Sequence, residues 1–254
     1  MMMPWTPLVA LAATLLPLVL VKRWITGSLQ ELSIRWIGDA DVALVLYFTL
    51  ILPGVLIHEI SHGLTALILG VRVQRFSIGP VRKGRSTKVS LGSVQIGKAD
   101  PLRASLIGLA PLLAGSAVIL LIGVFVLGVD ELAAVVATQD VDGILASLTQ
   151  VAGIPDFWIW LYLIFAVSNA MLPSESDMAT VRPVLIFLGI VTVIVLVVAG
   201  VPAIPEGVVQ FVNAVAGYLA SAFAVTLAVD AVFMFFILVL LWLTRRIKRR
   251  RRDY

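Results

Sequence analysis

The stretch Leu50-Ile51-Leu52-Pro53-Gly54-Val55-Leu56-Ile57-His58-Glu59-Ile60-Ser61-His62-Gly63-Leu64-Thr65-Ala66-Leu67-Ile68 decides how this chain is read. It holds the only 2 histidines of the 254 residues, and they stand four apart inside an apolar run. Four residues are about one helical turn, so on a helix both imidazoles face the same way with Glu59 beside them. That is the pattern of a zinc site with a built-in general base: two imidazoles hold the ion, and Glu59 takes a proton from water as it attacks a carbonyl. The plain alternative is two structural histidines and a coincidental glutamate. It is disfavoured because three ionisable groups are costly to bury in an apolar helix without a function.

Composition places this helix in a membrane. The chain is 60% hydrophobic and 13% charged, and its mean hydropathy is +1.06, too apolar for a soluble domain of this size. The expected fold class is an all-α polytopic membrane protein of about six crossings, near 5–21, 43–70, 104–128, 157–173, 183–201 and 222–244. Residues 24–38 set Trp24, Ile25, Leu29, Leu32, Trp36 and Ile37 among polar neighbours, which predicts a helix lying at the interface. Residues 71–97 carry Gly79, Pro80 and Gly84 and a broken alternation of Val89, Leu91, Val94 and Ile96, which predicts a small cytoplasmic β-hairpin. Three parts result: an N-terminal anchor and interfacial segment over 1–42, a core over 43–180, and C-terminal helices with a basic tail over 181–254. No internal repeat or second soluble domain is visible.

Charge orients the spans. Segment 72–103 has eight basic residues (Arg72, Arg75, Arg82, Lys83, Arg85, Lys88, Lys98 and Arg103) and one acid, Asp100. Seven more lie between Arg245 and Arg252, whereas 129–156 holds five acids (Asp130, Glu131, Asp140, Asp142 and Asp156) and no Lys or Arg. The positive-inside rule therefore predicts 72–103 and the C-terminus in the cytoplasm of a multi-pass cell-membrane protein, with 129–156 outside. Segment 22–42 then lies outside despite Lys22, Arg23 and Arg35. The net charge of +4 does not indicate nucleic acid, since the basic residues flank spans, where they set topology and meet anionic lipid. With Cys absent, disulfides and thiolate ligands are excluded.

A catalytic zinc takes three protein ligands, and with no further His and no Cys the third must be an acid. Asp177, in Asn169-Ala170-Met171-Leu172-Pro173-Ser174-Glu175-Ser176-Asp177, follows the fourth crossing on the side toward which the His58 helix runs. Glu175 and the intramembrane Asp230 are its rivals.

These features resemble the site-2 protease family of intramembrane zinc metalloproteases, over about residues 43–180. The likeness rests on the His58-Glu59-Ile60-Ser61-His62 helix, the strand segment, the small-residue stretch from Gly108 through Pro111 to Gly115, and the Asn169…Pro173…Asp177 motif. In that family the last motif is commonly Asn-x-x-Pro-x-x-x-x-Asp-Gly and its Asp is the third zinc ligand. Here the Asn-to-Asp spacing is kept, Pro173 falls one position late, and Met178 stands where the glycine would be. The resemblance implies a zinc endopeptidase cutting transmembrane or membrane-proximal segments of a membrane-protein substrate, with one zinc ion on His58, His62 and Asp177 and Glu59 as base. It also implies that Asn169 binds substrate or the developing oxyanion. Helix-to-helix hydrogen bonding is the alternative role for Asn169. Interval 129–156 is too short for the PDZ domain many relatives carry. Strand edges in 71–97 suit an unwound substrate, or serve as a cap. Pro53-Gly54 either kinks the helix or is ordinary membrane-helix sequence. The competing function is a metal-binding membrane protein without proteolysis, either a transporter or an inactive homologue.

Overall fold

The computed structural model describes residues 5–82, 89–199 and 204–250. Lys83, Gly84, Arg85 and Lys88, and the tail beyond residue 250, lie outside the described residues. In order, the elements are α1 (Thr6–Ile37), α2 (Ala40–Ile68), β1 (Val73–Arg82), β2 (Val89–Ile96), α3 (Pro101–Phe125), α4 (Val129–Ala137), α5 (Val141–Ala152), α6 (Phe157–Met171), α7 (Glu175–Ala199) and α8 (Glu206–Arg250). Five of these helices are long and apolar enough to cross a bilayer, or six if the bent pair α5 and α6 makes one span. This is the multi-pass helical membrane fold that the composition predicts. The expected hairpin is present, antiparallel, with Phe76 opposite Val94 and Ile78 opposite Gly92.

Local chemistry sets the helix starts. Asp39 caps α2 by accepting from the amides of Asp41 and Val42, satisfying donors a helix N-terminus leaves orphaned. Asp100 does the same for α3, accepting from Arg103 N at 3.0 Å ahead of Pro101. That amide bond and the nearby guanidinium hold the Asp100 carboxyl below its ordinary range.

Lipid gives helices no hydrophobic reason to associate, so close approach depends on small residues. A side chain on Gly54 of α2 would run into the Ala166 carbonyl of α6, and one on Gly115 of α3 would run into Met171. Pro53-Gly54 thus marks a packing contact between α2 and α6. The contact runs parallel along both helices, from Tyr162 Oη donating to Leu50 O at 2.9 Å to His58 against Ala170.

One sequence expectation is corrected. Residues 24–38 do not lie apart at the interface, because α1 is one helix of 32 residues, about 48 Å long. Its Ile25, Leu29 and Leu32 are buried in the main core. The acidic interval 129–156 contains α4 and α5, two amphipathic helices with no buried residue.

The direction of the later helices bears on the charge count. Met171 meets Gly115 on α3, Asp177 and Thr180 meet Gly108, and Ser105 Oγ donates to Thr180 O at 2.9 Å. The chain therefore continues past Met171 along α3 toward its N-terminus, without turning back. α8 returns antiparallel to α6, Phe233 stacking on Phe165 with ring centres 4.1 Å apart and Phe236 edge-on to Trp158. It ends beside the end of α1, where Trp36 Nε1 donates to Thr244 Oγ1 at 2.9 Å and Arg245 sits 3.5 Å from Glu31. The start of the basic tail is thus at the end of the bundle opposite the hairpin. The charge count expects 72–103 and the tail on one face, whereas this packing sets the hairpin and the start of the tail at opposite ends of the bundle.

Candidate metal centre

α2 presents His58, Glu59 and His62 on one turn, and a backbone carbonyl holds each imidazole from behind. His58 Nδ1 is 2.8 Å from the carbonyl of Ala170, and His62 Nδ1 is 2.7 Å from that of Ile107. A carbonyl can only accept, so each Nδ1 carries the proton and donates it. Ala170 has its carbonyl free because α6 ends one residue later, where the last carbonyls lack intrahelical donors. Both Nε2 atoms are left with bare lone pairs, 3.1 Å apart.

Asp177 comes to the same point from the first turn of α7. Its Oδ1 is 3.3 Å from His62 Nε2 and its Oδ2 is 3.5 Å from His58 Nε2. Neutral imidazole nitrogens and carboxylate oxygens all accept and none donates, so this convergence is repulsive unless a cation lies among them. Two donor atoms about 2.0–2.1 Å from a tetrahedral zinc stand about 3.3 Å from each other. The observed separations of 3.1, 3.3 and 3.5 Å bracket that edge. Candidate ligand atoms of the three residues lie within 4.8 Å of one another, and the group can hold a metal ion.

A capping box aims the carboxylate. Ser174 N and Ser174 Oγ donate to Asp177 Oδ2 at 2.7 and 2.6 Å, and Asp177 N returns a bond to Ser174 Oγ at 3.3 Å. Reciprocal bonds of this kind satisfy helix N-terminal donors and fix the acid three residues on. Gly108 allows the approach: a Cβ there would lie 2.7 Å from Thr180 Oγ1 and 3.0 Å from the Asp177 carbonyl. Gly108 was named from sequence only within the small-residue stretch, and Ser174 was not singled out, although the Ser-x-x-Asp spacing was there to read.

Of the rival acids, Glu175 is exposed in the same turn and outside the metal-binding group. Asp230 is 1% exposed on α8 and takes a contact of 3.3 Å from Ser168 Oγ. Met178 sits in ordinary helix; the positive-φ residues other than glycine are Gln139 and Asp156 among those described. Losing the family's glycine therefore costs no backbone strain. Asn169 is buried, with Nδ2 donating to Phe165 O at 2.9 Å and Oδ1 without a hydrogen-bond partner among the described residues. Glu59 is 6% exposed, lodged between its helix and Gly92 of β2.

A polytopic helical bundle that brings His-Glu-x-x-His and a distant carboxylate to one point is the architecture of a membrane metallopeptidase. Residues 36–163, half the chain, match the family model for Peptidase M50B-like proteins, and the chain belongs to that family, the site-2 proteases. No curated protein and no solved structure matches it. The matched stretch includes His58, Glu59 and His62 but stops before Asn169 and Asp177, so the place of Asp177 rests on geometry.

Proposed function

We propose that the protein is a membrane-embedded zinc endopeptidase of the cell membrane that hydrolyses peptide bonds in or next to transmembrane segments of other proteins. The observation that supports this most is the convergence of His58 Nε2, His62 Nε2 and the Asp177 carboxylate, with both rings turned by carbonyl anchors. A divalent ion held by these residues would polarise the scissile carbonyl and acidify water. Glu59, one residue from His58 and sheltered from bulk solvent, accepts the proton of the attacking water and delivers it to the leaving amide nitrogen. Burial keeps competing water away from that carboxylate. Asn169 Oδ1 lacks a partner among the described residues and accepts from a substrate peptide N–H, while Nδ2 donates to Phe165 O at 2.9 Å and lies 3.5 Å from Ser168 Oγ. The strand edge of the hairpin offers backbone groups to an unwound substrate segment. The basic end of α8 contacts anionic lipid.

The test is metal analysis of purified protein together with cleavage of a model transmembrane substrate by wild type and Glu59→Gln. The expected outcome is one divalent ion per chain in both forms, zinc among the metals tried, with turnover about 10²–10⁴-fold lower in the variant. Equal turnover would remove Glu59 as base, and a wild type without metal would remove the hydrolase reading.

A further inference from the structure

In an α-helix the carbonyl of residue 107 accepts from the amide of residue 111. In α3 that residue is Pro111, buried inside the helix, which has no N–H. The Ile107 carbonyl is therefore released from the ladder, and an unpaired buried carbonyl is costly in an apolar interior. It is the carbonyl that His62 Nδ1 approaches at 2.7 Å. Pro17, Pro53 and Pro183 also lie inside helices. Among the described residues, Pro111 is the one whose released carbonyl is taken by an imidazole.

We infer that Pro111 is a positioning residue for His62: by withholding an amide proton, it reserves the Ile107 carbonyl as the acceptor that sets the ring's tautomer and aims Nε2 at the metal-binding point. The two histidines obtain equivalent anchors by different means. His58 uses a carbonyl left over at the end of α6, whereas α3 passes His62 in mid-helix, where no carbonyl is spare unless a proline makes one. Gly108, next to Ile107, leaves room for α7 to bring Asp177 to the same depth. One turn of α3 thus serves two members of the group. The inference deepens the metallopeptidase reading and rests on it for the identity of the ligand, but the anchor itself can be measured without a metal.

Pro111→Ala and Pro111→Val both restore an amide that competes with His62 for the Ile107 carbonyl, Val keeping nearly the original side-chain volume. In metal-free protein, ¹⁵N imidazole spectra should show His62 as the Nδ1–H tautomer in wild type and a mixture in both variants, with His58 unchanged. Zinc affinity should fall about 10-fold in both, the usual cost of losing a partner behind a ligating histidine. An unchanged His62 spectrum in the variants overturns the inference. So does native zinc affinity in Pro111→Val with a loss confined to Pro111→Ala, which would assign the effect to a cavity. Wild type that binds no zinc but shows the tautomer change would sink the metallopeptidase reading and leave the anchor standing.

Discussion

Gly92 of β2 lies so close to Glu59 of α2 that a Cβ at Gly92 would sit 2.5 Å from Oε1, 2.7 Å from Cγ and 2.8 Å from Cδ of the glutamate. The hairpin is therefore not a remote cap. Its second strand forms one wall around the proposed base, and the wall is this close because the residue there has no side chain.

Adding a methyl or a branched side chain at that position should push either the strand or the carboxylate away. Gly92→Val is expected to cut peptide cleavage by about 100-fold, the scale on which displacement by about 1 Å disrupts a catalytic geometry. Metal content should stay at the wild-type level, because the ring anchors come from α3 and α6 and not from the hairpin. Gly92→Ala should fall between the two. Turnover in Gly92→Val equal to wild type, measured on the same substrate, would show that the strand yields freely and that the contact does not matter.

How much of this was legible beforehand follows from the range of each interaction. His58, Glu59 and His62 lie within one turn, so spacing alone brought them together, and the apolar run around them put them in the membrane. Asp177 was favoured by its place after the fourth crossing and then by the resemblance, and its capping box with Ser174 was a further local signal favouring it over Glu175. Pairs such as Gly92 with Glu59 and His62 with Ile107 join residues tens of positions apart, and no periodicity in either segment announces the partner. The packing of α8 departs from the charge count for another reason. Counting Lys and Arg by segment assumes that each apolar run reverses the chain, whereas α6 and α7 advance along α3 in the same sense, from Gly115 to Gly108 to Ser105. Residues 24–38 were amphipathic because one face packs in the bundle core, a pattern that sequence cannot distinguish from a helix lying on a membrane.

Because Ser174 holds Asp177 through both its amide and its hydroxyl, removing the hydroxyl should loosen the carboxylate without deleting it. Ser174→Ala is expected to weaken zinc binding about 10-fold, and Ser174→Thr should restore it. Asp177→Ala should lower metal occupancy far more than Ser174→Ala, while Glu175→Ala and Asp230→Ala leave it close to wild type. Titration of purified variants with zinc, followed by metal analysis, gives the order directly. If Asp230→Ala or Glu175→Ala loses more metal than Asp177→Ala, the third ligand has been misassigned.

The packing of α8 makes a prediction about the membrane that the charge count opposes. Since Arg245 lies against Glu31 and Thr244 against Trp36, the tail emerges beside the α1–α2 turn, at the end away from the hairpin. α4 and α5 belong to the tail's end too, because they link the far end of α3 to the start of α6. The chain has no native cysteine, so single substitutions report without background. Lys98→Cys, Asp142→Cys and Arg246→Cys, each at an exposed position, can be labelled with a membrane-impermeant maleimide in intact cells and in inverted vesicles. Residues 142 and 246 should react in one preparation and residue 98 in the other. Labelling of 98 and 246 from the same face would mean that α7 and α8 cross in the order the basic segments suggest, and that the pairing of α8 with α1 through Thr244 does not hold in the bilayer.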